Sequence, residues 1–179
     1  MENLTIIAVV IVIVTLYLIS KHNYFKRTEQ QIKREKSGID VALTRRHDEL
    51  QKMYDSVKGI MKHERETLID TIQVRKGMSV QEMADAESQM DRAYSQLMAL
   101  AESYPELKAS ANFAILQESI TNNELELQAA RRCYNATVTE FNETVVAFPT
   151  NLVAKMFNVI TADMFEASPE KREDIKLEF

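Results

Sequence analysis

Side chains able to carry chemistry are few here, and their spacing is wrong for it. The histidines are His22, His47 and His63, and "KHERE" at 62–66 lacks the second histidine four residues on that an HExxH zinc site needs. Cys133 has no CxxC partner, and as a nucleophile it would need His47 or His63 brought across from another helix. It stands one residue before Tyr134, where a free cysteine is ordinarily a small packing residue. Carboxylates abound, as in "NNELELQ" and "HERET", but acids on solvated helix faces need no catalytic role. The chain has three glycines and contains no G-x-S-x-G, G-x-x-x-x-G-K or G-x-G-x-x-G. The expectation is a protein that is not an enzyme, with no catalytic, cofactor-binding or metal-binding residues and no cofactor.

Positions suited to contact are better candidates. The connection "SYPELKASANF" carries Tyr104, Pro105 and Asn112 at one end of two adjoining helices, and Arg131 and Arg132 can pair with acids on neighbouring helices. Asn123 interrupts a run of apolar positions, which at a core heptad site specifies register or oligomer state at some cost in stability. Lys21, Lys26 and Arg27 follow an apolar run closely enough to meet anionic lipid headgroups.

That apolar run must position everything after it. Leu4 to Ile19 holds no charge, and residues 1–20 as a helix span about 30 Å, one hydrocarbon thickness. The opening "MEN" is not basic and "YLISKHNYF" offers no small-residue cleavage site, so the run reads as a retained anchor, with Tyr17 as its interfacial aromatic. Charge is uneven around it. Lys21 to Arg46 has eight basic and three acidic residues, whereas His47 to Phe179 has fourteen basic and twenty-three acidic. The basic segment beside the run predicts a short N-terminus outside and a cytoplasmic remainder. The acidic remainder speaks against a nucleic-acid partner, and a lone cysteine fits a reducing compartment.

With three glycines, three prolines and no tryptophan, the chain has few places to turn, so long helices are expected and sheets are not. Apolar residues at Ile32, Ile39, Leu43, Leu50, Val57, Met61, Leu68 and Ile72 keep one stripe of a helix running to Lys76, with Gly77 as its C′ residue. Ser79 and Glu82 form a capping box for a second helix, whose stripe is Val80, Met83, Met90, Tyr94, Leu97 and Ala101, ending near Tyr104. Ser110 can cap a third, striped by Phe113, Leu116, Ile120, Leu127, Ala130, Tyr134, Val138, Phe141, Val145 and Phe148. Pro149 ends it, and Thr150 or Asn151 can cap a short fourth, "NLVAKMF". The predicted fold is all-α: an N-terminal transmembrane helix, then an antiparallel bundle of three long helices plus a short fourth. In these terms residues 1–20 are the anchor, 21–31 a basic helical segment, 32–157 the bundle and 158–179 a charged tail.

Several stretches in this order resemble the LemA family of small bacterial membrane-anchored helical proteins. They are "GIDVALTRRHDEL", "VKGIMKHERETL", "LMALAESYPELKASANFAILQE", "ARRCYN" and "FPTNLVAKMF", covering about residues 28 to 165. Gln51 and Lys52 stand where the family often has Pro and Asn, which implies a straighter first helix. His47 replaces a usual Tyr and Cys133 a usual Phe. The resemblance implies a small antiparallel bundle and no established activity. Some relatives are linked to magnetosome membranes, and many are encoded near membrane-embedded metalloproteases. The expected partners are therefore the lipid bilayer and, as protein, a membrane protease or a second copy of the chain in a homo-oligomer. The role expected is a scaffold or adaptor for membrane or envelope proteins, or alternatively a self-assembling, membrane-organising structural protein.

Overall fold

A computed structural model describes residues 1–58, 72, 74–75 and 77–166. They form five helices, α1 (Glu2–Lys58), α2 (Val80–Ser103), α3 (Pro105–Lys108), α4 (Ala111–Val146) and α5 (Thr150–Met156), and no strand occurs among the described residues. The chain divides into two compact units, one of Met1–Glu35 with Cys133–Met164, the other of Lys36–Arg132 with Phe165 and the described residue after it.

Helix α1 passes through Gln51 and Lys52 without interruption and so carries the apolar run and a bundle helix in one element. It does not reach Lys76. Ile72, Val74 and Arg75 are not helical, and the expected stripe positions Met61 and Leu68 lie outside the described residues. Gly77 does adopt the left-handed conformation that glycine tolerates best, with φ of 88°, but in a turn that follows non-helical residues. The next start is as anticipated: the Glu82 amide donates to the Ser79 hydroxyl at 3.1 Å, while the Ser79 amide donates to the Glu82 carboxylate at 2.6 Å. That backbone bond, the Arg75 guanidinium and the Ser79 side chain together pull the Glu82 carboxyl from 4.5 to about 2. A depressed carboxyl contributes stability above its unfolded value, and the contribution disappears as pH falls through the folded one. Glu82→Ala should therefore lower the urea midpoint at neutral pH, with the gap from wild type closing as pH drops from 4.5 towards 2.

In the Lys36–Arg132 unit, α1 and α4 run antiparallel, since Arg45 meets Glu126 while Glu49, one turn later, meets Ser119, seven positions earlier. Ile39, Leu43, Leu50, Met53 and Val57 of α1, Met83, Met90 and Leu97 of α2, and Phe113, Ile120 and Leu127 of α4 are all buried. The short α3 was not foreseen; Pro105 at its first position has no amide hydrogen to leave unpaired.

In the other unit, Phe25 is fully buried and meets Phe141 edge-on at 6.1 Å between ring centroids. Val145, Val153, Ala154 and Val159 complete this core, with Tyr17, Leu18, Tyr24 and Ile32 packed on it. Thr150 is not the cap of α5: its hydroxyl donates back to the Thr144 and Ala147 carbonyls, across the turn that follows α4. The stretch after Phe157, expected to begin a charged tail, packs. Asn142 exchanges two hydrogen bonds with the backbone of Ala162, at 2.9 and 2.8 Å, and the Tyr134 hydroxyl donates to the Asp163 carbonyl at 2.8 Å. Burial, with the Asp163 charge second, pushes the Tyr134 phenol above its ordinary range, so it remains a donor.

Candidate functional site

Each of the three long helices of the Lys36–Arg132 unit carries a charged or amide side chain on its buried apolar stripe. Arg46 falls between Leu43 and Leu50 on α1, Glu87 between Met83 and Met90 on α2, and Asn123 between Ile120 and Leu127 on α4. Every one of these steps is three or four residues, so the polar side chains point inward with their apolar neighbours. All three are buried, Asn123 completely.

These positions assemble into one layer. Arg46 bridges two helices, with Nη2 2.6 Å from Asp91 of α2 and Nη1 2.9 Å from Glu124 of α4. Arg131 of α4 pairs with Glu87 and lies 3.6 Å from Glu124. Arg45 reaches Glu126 at 2.9 Å and Glu49 at 3.3 Å, and the Ser119 hydroxyl donates to Glu49 at 2.7 Å. Three guanidiniums thus meet five carboxylates. Arg131 also stacks over Phe165, with the guanidinium carbon 5.6 Å from the ring centroid. Desolvating charges costs several kcal/mol per ion, offset only where partners are well placed. What such a layer supplies is register, because sliding one helix would bury a charge opposite a methyl group.

Asn123 makes no hydrogen bond to the protein through either amide atom, and Arg46 Nε and Nη1, Glu49 Oε2 and Glu124 Oε2 of the same layer also lack one. An unpaired buried amide carries its full desolvation cost. Asn123→Leu, of similar volume, should stabilise the folded chain by about 1–3 kcal/mol in urea denaturation. A loss of stability instead would mean that the amide is paired in solution.

The other expected contact positions are dispersed. Tyr104 is half-buried between α2 and α3, while Pro105 and Asn112 are exposed. Arg132 faces solvent, unlike Arg131, and Cys133 is exposed rather than packed, one residue off the stripe that Tyr134 occupies. Beyond the apolar run, Lys21 sits over the Tyr17 and Tyr24 rings at 5.9 and 5.7 Å, Lys26 pairs with Glu29 at 3.0 Å, and Arg27 is exposed. Lys26, Arg27 and Arg34 line one shallow polar surface of α1 with Asn23, Gln30 and Gln31.

Residues 4–16 of the apolar run are all exposed in the folded chain, which is compatible with a membrane anchor. No group of three His, Cys, Asp or Glu side chains fit to hold a metal occurs among the described residues.

A family model described as "LemA family" matches residues 35–179. The chain is 32% identical over 162 residues to Protein LemA of Metamycoplasma hominis, a match that spans 88% of this chain and 74% of that relative.

Proposed function

The chain belongs to the LemA family, and on that premise we propose that it is a single-pass membrane protein whose helical bundle is a non-enzymatic scaffold or adaptor for membrane or envelope proteins. The observation that carries this reading is the continuity of α1. One helix holds an uncharged run with its side chains exposed and then contributes Leu43, Arg46 and Leu50 to a buried core. A helix of that composition lowers its free energy by entering a bilayer, and the same helix goes on to contribute residues to the bundle. The basic excess after the run favours the cytoplasmic side for the bundle. A fixed register, held by the Arg46–Glu87–Asn123 layer, suits a protein that presents helical surface rather than one that opens around a substrate.

The test is the size of the full chain in lipid nanodiscs and detergent, with cross-linking in intact cells. A small uniform species that cross-links to a distinct membrane or envelope protein is the expected result. Large regular assemblies of the chain by itself would overturn the adaptor reading and favour a self-assembling, membrane-organising protein.

A further inference from the structure

We propose that the turn between α4 and α5 is a second membrane contact, with Phe148, Leu152 and Met156 inserted into the lipid interface beside the apolar run of α1. The inference rests on the anchor reading above.

Phe148 was expected to be the last core residue of the α4 stripe. It is instead 81% exposed, and Leu152 and Met156, one helical turn apart on α5, are 58% and 55% exposed. The opposite face of α5, Val153 and Ala154, is buried on the Phe25 core. The short helix is therefore amphipathic, yet its apolar character continues on the side facing away from the protein. An exposed apolar patch of this kind marks a surface that something else covers.

The position of the patch identifies lipid as that cover. The Tyr24 hydroxyl lies 3.2 Å from Glu140 and 3.3 Å from Thr144 of α4, which fixes the pairing level of the two helices in this unit. Phe148 comes four residues after Thr144, in the turn just past the end of α4 at Val146; with α4 heading back along α1, that direction leads towards Ser20. That is the end of the uncharged run, and Tyr17 and Leu18 do pack against the core that holds α5. The Phe157 ring, at the far end of α5, lies 4.4 Å from that of His22. The whole corner therefore sits where the anchor leaves the hydrocarbon. Aromatic and large apolar side chains belong at that depth, and the exposed Lys155 can extend its charge towards headgroups. In the other unit, by contrast, the exposed large apolar residues among those described are only Val41, Ile115 and Leu125, scattered singly.

Three single-cysteine chains in a Cys133→Ser background test this: Val10→Cys in the anchor, Leu152→Cys on α5, and Leu125→Cys on α4. All three positions are exposed, so labelling leaves the cores intact. Each is labelled with an environment-sensitive fluorophore, and the full chain is reconstituted into phosphatidylcholine–phosphatidylglycerol vesicles with or without lipids brominated high on the acyl chain. The expected result is loss of fluorescence at Val10 and Leu152 with none at Leu125. Quenching at Val10 alone would overturn the second contact and leave the anchor standing. Quenching at neither position would overturn the anchor reading, and the inference with it. A blue-shifted Leu152 label that brominated lipid does not quench would mean that protein covers this face, which also contradicts the proposal.

Discussion

Arg46→Ala is expected to destabilise the folded chain by about 3–5 kcal/mol, the cost of removing one partner from a buried ion pair. The Arg46 side chain is 5% exposed and bridges Asp91 of α2 to Glu124 of α4. Its loss removes the cation that joins Asp91 to Glu124 across the two helices. In a unit of about a hundred residues, that effect lowers Tm by more than about 10 °C. Arg46→Met separates charge from packing, because the methionine refills most of the apolar stem while the acids lose this guanidinium. The electrostatic account requires Arg46→Met to lose nearly as much as Arg46→Ala. Arg46→Lys keeps one charge but cannot form the fork that reaches two acids, and should fall between wild type and Ala. If Met restored full stability, the layer would be serving as filler.

Phe25→Ala is the corresponding large effect in the other unit. Phe25 is fully buried, meets Phe141 edge-on, and underlies Val153 and Ala154 of α5. Truncation removes the transfer energy of the ring and leaves a cavity, at a cost of about 3–5 kcal/mol. The loss has a place as well as a size. Hydrogen exchange should accelerate at the amides of α5 and of Val159, whose bond to the Ala154 carbonyl closes this corner. Phe25→Leu keeps much of the volume and should cost far less.

How much of this was legible in the sequence depends on how local the cause was. The capping box at Ser79 and Glu82 is a four-residue device, and it forms as read. Long helices followed from the scarcity of glycine and proline, and the α2 and α4 stripes named their buried residues well, down to Leu97 and Leu127. Expectations failed where periodicity carried on past the end of a helix. Phe148 kept the α4 stripe going after the helix had ended at Val146, and the pattern through Ile72 suggested a longer α1 than the described residues contain.

The candidate site was legible only in part. Asn123 announced itself as a gap between Ile120 and Leu127. The same gap recurs at Arg46 and Glu87, and reading the three stripes together would have found the layer. Which acid each arginine meets was not legible, because Asp91 and Glu124 are half-buried positions off the stripes and their partners come from other helices. Of the adjacent Arg131 and Arg132, only helical phase decides which faces inward, and one residue is about 100° of turn.

The central proposal is a bundle fixed to one side of a membrane by a single crossing, and side-specific labelling tests it most directly. Cys133 is exposed and serves as its own probe, while a chain carrying Glu2→Cys and Cys133→Ser reports the other end of the run. A membrane-impermeant maleimide applied to intact cells should label the thiol introduced at position 2 but leave Cys133 of the natural chain untouched until the cells are permeabilised. Both thiols reacting on the same side, or Cys133 reacting in intact cells, would contradict a single crossing that leaves the bundle in the cytoplasm.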